Sequence, residues 1–275
     1  MSTQETTGAS CEAFRREIYD YYEQHGRSFP WRRTDDPYEI LVSEFMLQQT
    51  PTGRVKGKYG SFLSQFPTCA ALTNARMREV LEVWQGLGYN RRAQWLQRCA
   101  VRIVNEHDGR VPRRYDELID LPGVGPATAG GVLAFAFDVP TVFLETNIRR
   151  ALIYFFFPGE DKVEDEQLRS VLADALDRRK PRRWYYALMD YGAMLKESHP
   201  TLHRRSARYR RQGAFEGSDR QIRGAIIKVL LSRRDITAEA LAEQFEAEDG
   251  RVRRVLSDLT EEGMVREDSG RYNLP

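Results

Sequence analysis

Leu121-Pro122-Gly123-Val124-Gly125 is the stretch on which the reading of this chain turns. It lies between Tyr115–Asp120 and Ala127–Phe137, two segments whose apolar residues recur at helical spacing. A short loop with two glycines can turn where side chains would clash. Its amides and the N-terminus of the following helix then point outward together, an anion site that suits a DNA phosphate. An ordinary helix connection reads the same way, so the surroundings must decide.

Outward from the loop, the pattern is helical from Cys11 to about Leu195. It runs over Phe14–Gln24, Pro37–Gln49, Arg54–Phe66, Met77–Gln85, Arg91–His107 and Ile148–Phe156, broken by Gly and Pro. Asp35-Asp36 followed by Pro37 predicts a helix start, an acidic cap with proline at the first helical position. Residues 1–10 read as a disordered tail, too polar for a signal peptide. Residues 196–217 read as an Arg-rich arm or linker.

Residues 218–275 have a different rhythm. Asp219–Ser232, Thr237–Phe245 (Thr237 as its cap) and Gly250–Glu262 read as helices. Two short strands, Met264–Glu267 and Arg271–Leu274, flank the turn residues Asp268-Ser269-Gly270. Three helices followed by a hairpin is the winged-helix order. Arg251, Arg253 and Arg254 on its third helix could meet phosphate, and a protein-interaction module or packing cap is the alternative.

At 275 residues the chain has room for one large and one small domain, and 30% charged with 41% hydrophobic residues marks it as globular. The net charge of +2 says little, but its distribution says more. Arg204, Arg205, Arg208, Arg210 and Arg211 crowd together, Arg178–Arg183 form a second basic cluster, and acid gathers at 160–166. Charge alone leaves both a DNA-facing surface and solvated helix faces open. Cys11, Cys69 and Cys99 lack metal-ligand spacing, and their odd count argues against a disulfide framework, so a reducing, cytoplasmic setting is expected. No apolar run approaches a membrane span.

In context the loop resembles the hairpin of the helix-hairpin-helix (HhH-GPD) DNA glycosylase superfamily. The resemblance is carried by Phe29-Pro30-Trp31-Arg32, Val42–Thr50, Trp84-Gln85-Gly86-Leu87-Gly88-Tyr89, Leu121–Gly130, Leu144–Arg150 and Leu188–Ala193, in family order across residues 29–193. Met46-Leu47-Gln48-Gln49-Thr50 and Gly86-Leu87-Gly88-Tyr89 look most like the MutY-like branch, the adenine DNA glycosylases. The fold expected is mainly α: a helical core over 11–195, then the arm, then a winged helix over 218–275. Within the core, one six-helix subdomain spans about 30–138, and a second joins the N-terminal helix to about 139–195.

The resemblance implies a base-flipping hydrolase acting on double-stranded DNA, as a monomer and away from membranes. A flipped base leaves a gap in the stack that something must fill. The family pattern places Gln48, Gln49 and Tyr89 there, Tyr89 as a wedge; a packing aromatic is the alternative. Thr50, Leu121, Gly123, Val124, Gly125, Ala127, Thr128, Arg204 and Arg205 complete the expected DNA contacts.

Glu44 sits among Leu41, Phe45 and Leu47. Loss of solvation there favours the protonated carboxyl, which can donate to a purine ring nitrogen. A surface Glu at a helix turn is the alternative. The matching family Glu has the catalytic role.

The second acid departs from the family. An Asp-Gly-Asn is expected where this chain has Glu145-Thr146-Asn147. An added methylene shifts the carboxylate, and a displacement near 1 Å can cost roughly a hundredfold in rate. Glu145 can do the same work from a shifted backbone, the pocket can take another base, or the protein can bind lesions and cleave poorly. Asn147 matches the family and can orient the carboxylate or the sugar phosphate.

Ala127 stands where the endonuclease III branch has a Schiff-base lysine, so hydrolysis without a β-lyase step is expected. Leu195–Arg205 holds none of the four cysteines that ligate an iron–sulfur cluster in most relatives, so no cofactor is expected. His199 and His203 are four apart around Pro200, and they read as surface histidines rather than metal ligands. Residues 216–275 are too short for the family's usual domain that inspects 8-oxoguanine. The leading reading is adenine excision from mispairs. Removal of uracil or thymine from G mispairs or of a modified purine is the second, and a lesion-binding or regulatory DNA-binding protein the third.

Overall fold

The computed structural model of the chain describes residues 3–245 and 249–275. Its helices run α1 Thr3–His25, α2 Pro37–Leu47, α3 Thr52–Gln65, α4 Cys69–Thr73, α5 Met77–Trp84, α6 Arg91–Glu106 and α7 Tyr115–Ile119. They continue with α8 Pro126–Phe137, α9 Thr146–Phe156, α10 Asp165–Ala175, α11 Pro181–Ser198, α12 Asp219–Ser232, α13 Ala238–Phe245 and α14 Asp249–Glu261. Strands β1 Ile236–Thr237, β2 Arg266–Asp268 and β3 Arg271–Asn273 form an antiparallel sheet in the order β1-β3-β2. Among the described residues no helix is long and apolar enough to cross a membrane.

Local chemistry sets several of these bounds. The Asp36 carboxylate accepts the Tyr38 and Glu39 amides at 2.9 and 3.0 Å, so the acidic cap before Pro37 starts α2. The Thr237 hydroxyl caps α13 through the Ala240 amide at 3.3 Å. Ser269 and Gly270 both take positive φ, 52° and 77°, the two-residue turn that suits a twisted hairpin.

The expected tail over 1–10 is corrected from residue 3 onward: α1 begins at Thr3, since extending a nucleated helix costs far less than starting one. Met1 and Ser2 lie outside the described residues. α11 continues to Ser198, past the expected core boundary. The start of the arm is pinned: Val163 and Ser206 form a parallel bridge, and the Val163 amide meets the Arg205 carbonyl at 2.8 Å.

The chain divides into two compact units. One holds Met1–Leu41, Pro112–Asp120 and Val124–Arg211; the other holds Val42–Val111, Leu121–Gly123 and Gln212–Pro275. Thus α8, expected with the six-helix subdomain, groups with the first unit. α8 is apolar on nearly every face, and its Phe135 stacks on Tyr186 of α11 at 4.6 Å. The first unit's core is aromatic, with Phe14 of α1 against Phe155, Phe156 and Trp184. Buried Asp190 holds Arg27 and Arg32, with four contacts of 2.7–2.8 Å. Burial alone would raise the Asp190 pKa, but the Arg32 and Arg27 guanidiniums outweigh it and hold it below the usual range.

In the second unit, Phe62, Phe66 and Trp84 form the aromatic centre. Its C-terminal helices do not hang free. Arg78 of α5 donates to the Leu230 and Leu231 carbonyls at the end of α12, both at 2.8 Å, satisfying two of the last-turn acceptors. Glu262 binds Arg91 and Arg223, and its carbonyl accepts from Gln94 and Arg98 at 2.8 and 3.1 Å.

Candidate functional site

In the second unit the expected residues gather around one buried cation. Arg92, 4% exposed in the first turn of α6, donates to the Phe45 and Met46 carbonyls at 2.7 and 2.9 Å. These lie in the last turn of α2, where a cation meets the negative end of the helix. Arg92 also reaches the Thr50 hydroxyl at 2.8 Å and the Leu87 and Gly88 carbonyls at 3.2 and 3.0 Å. One guanidinium thus ties the end of α2, the 48–50 turn and the 86–89 loop together. Burial pulls its pKa down to about 10, which keeps it charged at neutral pH. Sequence reading missed it; the only signal was an Arg three residues after Gly-Leu-Gly-Tyr.

The two loops held by Arg92 carry strained backbones. Gln49 and Tyr89 have φ of 54° and 48°, a region costly for side chains of their size. Gln49, expected inside the helix, lies beyond it and is exposed. Tyr89 is 38% exposed, with Arg92 5.6 Å from its ring centre. Thr50 is buried and donates to the Leu87 carbonyl at 3.0 Å, so its side chain positions a loop rather than facing a ligand. Glu44 is half-buried on α2, between fully buried Leu41, Val42, Phe45 and Met46. Gln48 donates to the Gly123 carbonyl at 3.4 Å.

The hairpin glycines differ. Gly123 has φ of 77°, and a Cβ there would meet Trp95 Cβ at 2.7 Å and Phe45 Cε1 at 2.8 Å, so no side chain fits. Gly125 has φ of −97°, and a Cβ would meet nothing within 4 Å. Leu121, Val124 and Thr128, expected among the DNA contacts, are buried. Ala127 is half-buried and carries no nucleophile.

In the first unit Glu145 is the N-cap of α9. Its Oε1 accepts the Asn147 and Ile148 amides at 2.7 and 2.9 Å, and Oε2 accepts Asn147 Nδ2 at 3.3 Å. Asn147 Oδ1 in turn accepts Arg150 Nη1 at 2.7 Å, and Arg150 reaches the Gly192 carbonyl at 3.3 Å. Burial pushes the Glu145 carboxyl above the ordinary carboxylate range, against the pull of the two amides and of Arg150 and Arg149. The longer side chain therefore folds back onto its own helix. Arg150 and Gly192 lie within the motif blocks, but nothing in the sequence around them signals these roles.

Arg205 donates to the Glu160 and Phe157 carbonyls and so braces the chain, whereas Arg204 is exposed. His199 is exposed against the Tyr154 ring, and His203 packs on Tyr209. Among the described residues no three His, Cys, Asp or Glu side chains cluster as a metal site. The residues present do not fit an iron–sulfur cluster: all three thiols are buried, in α1, α4 and α6, and none follows α11. On α14, Arg251 and Arg254 face Asp219 at 2.8 and 3.1 Å, and Arg253 faces Glu239. Carboxylates thus offset the charge expected to meet phosphate.

A family model for the HhH-GPD superfamily base excision DNA repair protein matches residues 42–176. The adenine DNA glycosylase of Mycolicibacterium smegmatis is 34% identical over 281 residues, covering 94% of this chain and 94% of that protein. The adenine DNA glycosylase of Mycobacterium tuberculosis is 33% identical, covering 93% and 91%. Coverage that high takes the alignment past the helical core into the C-terminal segment. A solved thermostable thymine-DNA glycosylase is 28% identical with a TM-score of 0.62, over 68% of this chain and 88% of that one.

Proposed function

The chain belongs to the HhH-GPD superfamily of base excision DNA repair proteins, in its adenine DNA glycosylase branch, and from that premise we propose that it extrudes a mispaired adenine from duplex DNA and hydrolyses its N-glycosidic bond without nicking the strand. Glu145 carries the reading. Its carboxylate is fixed by two helix amides and the Asn147 side chain, as preorganised stabilisation of a sugar cation requires. The added methylene is taken up by folding back, so negative charge stays at the start of α9.

The chemistry follows from the two acids. Protonated Glu44 donates to a purine ring nitrogen, the electrons of the C1′–N bond leave with the base, and the role given to ionised Glu145 is to offset the positive charge left on the sugar. Water adds its oxygen to C1′ and releases a proton. Ala127 offers no amine for a Schiff base, which supports hydrolysis. The open space beside Gly125, where α8 begins, supports phosphate binding at that helix end. Tyr89 and Gln48 fill the gap left in the stack. The missing thiols support a cluster-free enzyme, and the protein acts as a monomer.

The test is a panel of duplexes carrying adenine opposite guanine or 8-oxoguanine, G·T, G·U and alkylated purines. Released base is quantified for wild type, Glu44→Gln and Glu145→Gln, with strand cleavage scored before and after alkali. Adenine release that either substitution stops, with duplex binding retained and strands cut only after alkali, is expected. Release of thymine instead of adenine overturns the substrate. Binding with no base released from any duplex overturns the enzyme.

A further inference from the structure

Tyr89 is held at three points, and two of its partners come from the C-terminal segment. Its backbone is fixed by Arg92, which binds the Leu87 and Gly88 carbonyls just before it. Its hydroxyl accepts from Gln212 and, at 3.2 Å, from Arg220 Nη1 of α12. A phenol oxygen has two lone pairs and one proton. With both lone pairs taken, that proton is left for another acceptor and the ring loses its rotational freedom.

The partners are themselves anchored. Arg220 Nη2 donates to the Gly213 and Ala214 carbonyls at 2.7 and 3.2 Å, closing residues 212–218 into a strap over the start of α12. The Gly217 amide meets Gln221 Oε1 at 2.7 Å, and Arg251 of α14 holds the Gly217 carbonyl at 2.6 Å. α5 and α6 flank the Tyr89 loop, and the same segment grips both, α5 through Arg78 and α6 through Glu262.

We propose that Gln212 and Arg220 are positioning residues that set the Tyr89 ring for insertion into the base stack, so that the C-terminal segment acts on base extrusion through Tyr89. This deepens the glycosylase reading and rests on Tyr89 as the wedge. It also accounts for a C-terminal segment whose α14 arginines are engaged with carboxylates.

A double-mutant cycle tests it. Gln212→Ala and Arg220→Ala are made singly and together, in the native background and combined with Tyr89→Phe, which keeps the ring and removes the hydroxyl. Extrusion is read by 2-aminopurine fluorescence beside the target adenine, and chemistry by single-turnover excision. The paired substitution is expected to slow extrusion about threefold to tenfold in the native background, with unchanged melting temperature, and to add nothing to Tyr89→Phe. Arg220→Lys should restore part of the loss. The slope of binding affinity against salt should stay as in wild type, since no phosphate contact is removed.

The proposal is overturned if the loss persists with Tyr89→Phe, if the salt slope drops by about one phosphate contact, or if Gln212→Ala and Arg220→Ala change nothing. Wild type that neither extrudes nor excises a base would sink the glycosylase reading itself. Normal wild-type excision with no coupling sinks only the strap.

Discussion

Gly192→Ala should slow base excision about a hundredfold without touching a ligand. Gly192 lies inside α11, where replacing glycine by alanine on helix propensity alone stabilises by roughly 0.5–1 kcal/mol. Packing reverses the sign. A Cβ there would lie 2.0 Å from the Asn147 carbonyl oxygen, 2.5 Å from its carbon and 2.8 Å from its Cα, where ordinary contact begins at 3.4 Å. The neighbour is backbone, so no rotamer relieves the clash, and α9 and α11 must part by about 1 Å or more. Asn147 is the residue displaced, and with it the amide and side chain that hold Glu145; Arg150 loses its Gly192 carbonyl as well. Overpacking of this kind costs about 1–3 kcal/mol, which at about 2–4 °C per kcal/mol lowers the melting temperature by roughly 2–12 °C. The assay is single-turnover excision with enzyme in excess, beside a thermal melt and affinity for an uncleavable duplex. Chemistry should fall while affinity changes little. A variant that excises within about threefold of wild type and melts at the same temperature would refute the claim that the α9–α11 approach fixes the acid.

The raised pKa of Glu145 sets the pH dependence. A protonated Glu145 cannot stabilise a cation, so excision should fall as pH drops, with its midpoint above the ordinary glutamate value of 4.5; the residual rate of Glu145→Gln should lack that limb. Arg92→Leu takes the guanidinium from the Phe45 and Met46 carbonyls, at about 1–3 kcal/mol for each left dry, while the Leu87 and Gly88 carbonyls keep Thr50 and Trp84 as donors, and denaturant melts should show a loss of several kcal/mol. Arg92→Lys should recover little, because an ammonium cannot reproduce the fork. Asp190→Asn leaves Arg27 and Arg32 without their charge partner and should cost about 3–5 kcal/mol. Because the folded Asp190 pKa is depressed, its contribution is present above the ordinary aspartate value and is lost as pH falls through the folded one. Melts across the acid range should therefore show a smaller pH dependence for the variant.

Features set by neighbouring residues were legible in the sequence. Asp36-Pro37 marks the start of α2, Thr237 caps α13, Ser269-Gly270 turns the hairpin, and α12 has the bounds its apolar spacing predicts, because caps, turns and helical period act over a few residues. The 121–125 loop, read with the other motif blocks, pointed to the family, and the Met46–Thr50 and Gly86–Tyr89 strings to its adenine-glycosylase branch. β1 escaped because two residues carry no period. The remaining decisions belong to tertiary structure. That Glu145 folds back onto α9, that Thr50, Leu121 and Val124 are buried, that the α14 arginines meet carboxylates and that Arg220 reaches Tyr89 are all outcomes of packing. Arg92 meets Phe45 across 47 positions and Arg220 meets Tyr89 across 131. Periodicity says which face of a helix is buried, but only the closed fold decides which distant carbonyl or hydroxyl a buried cation must satisfy.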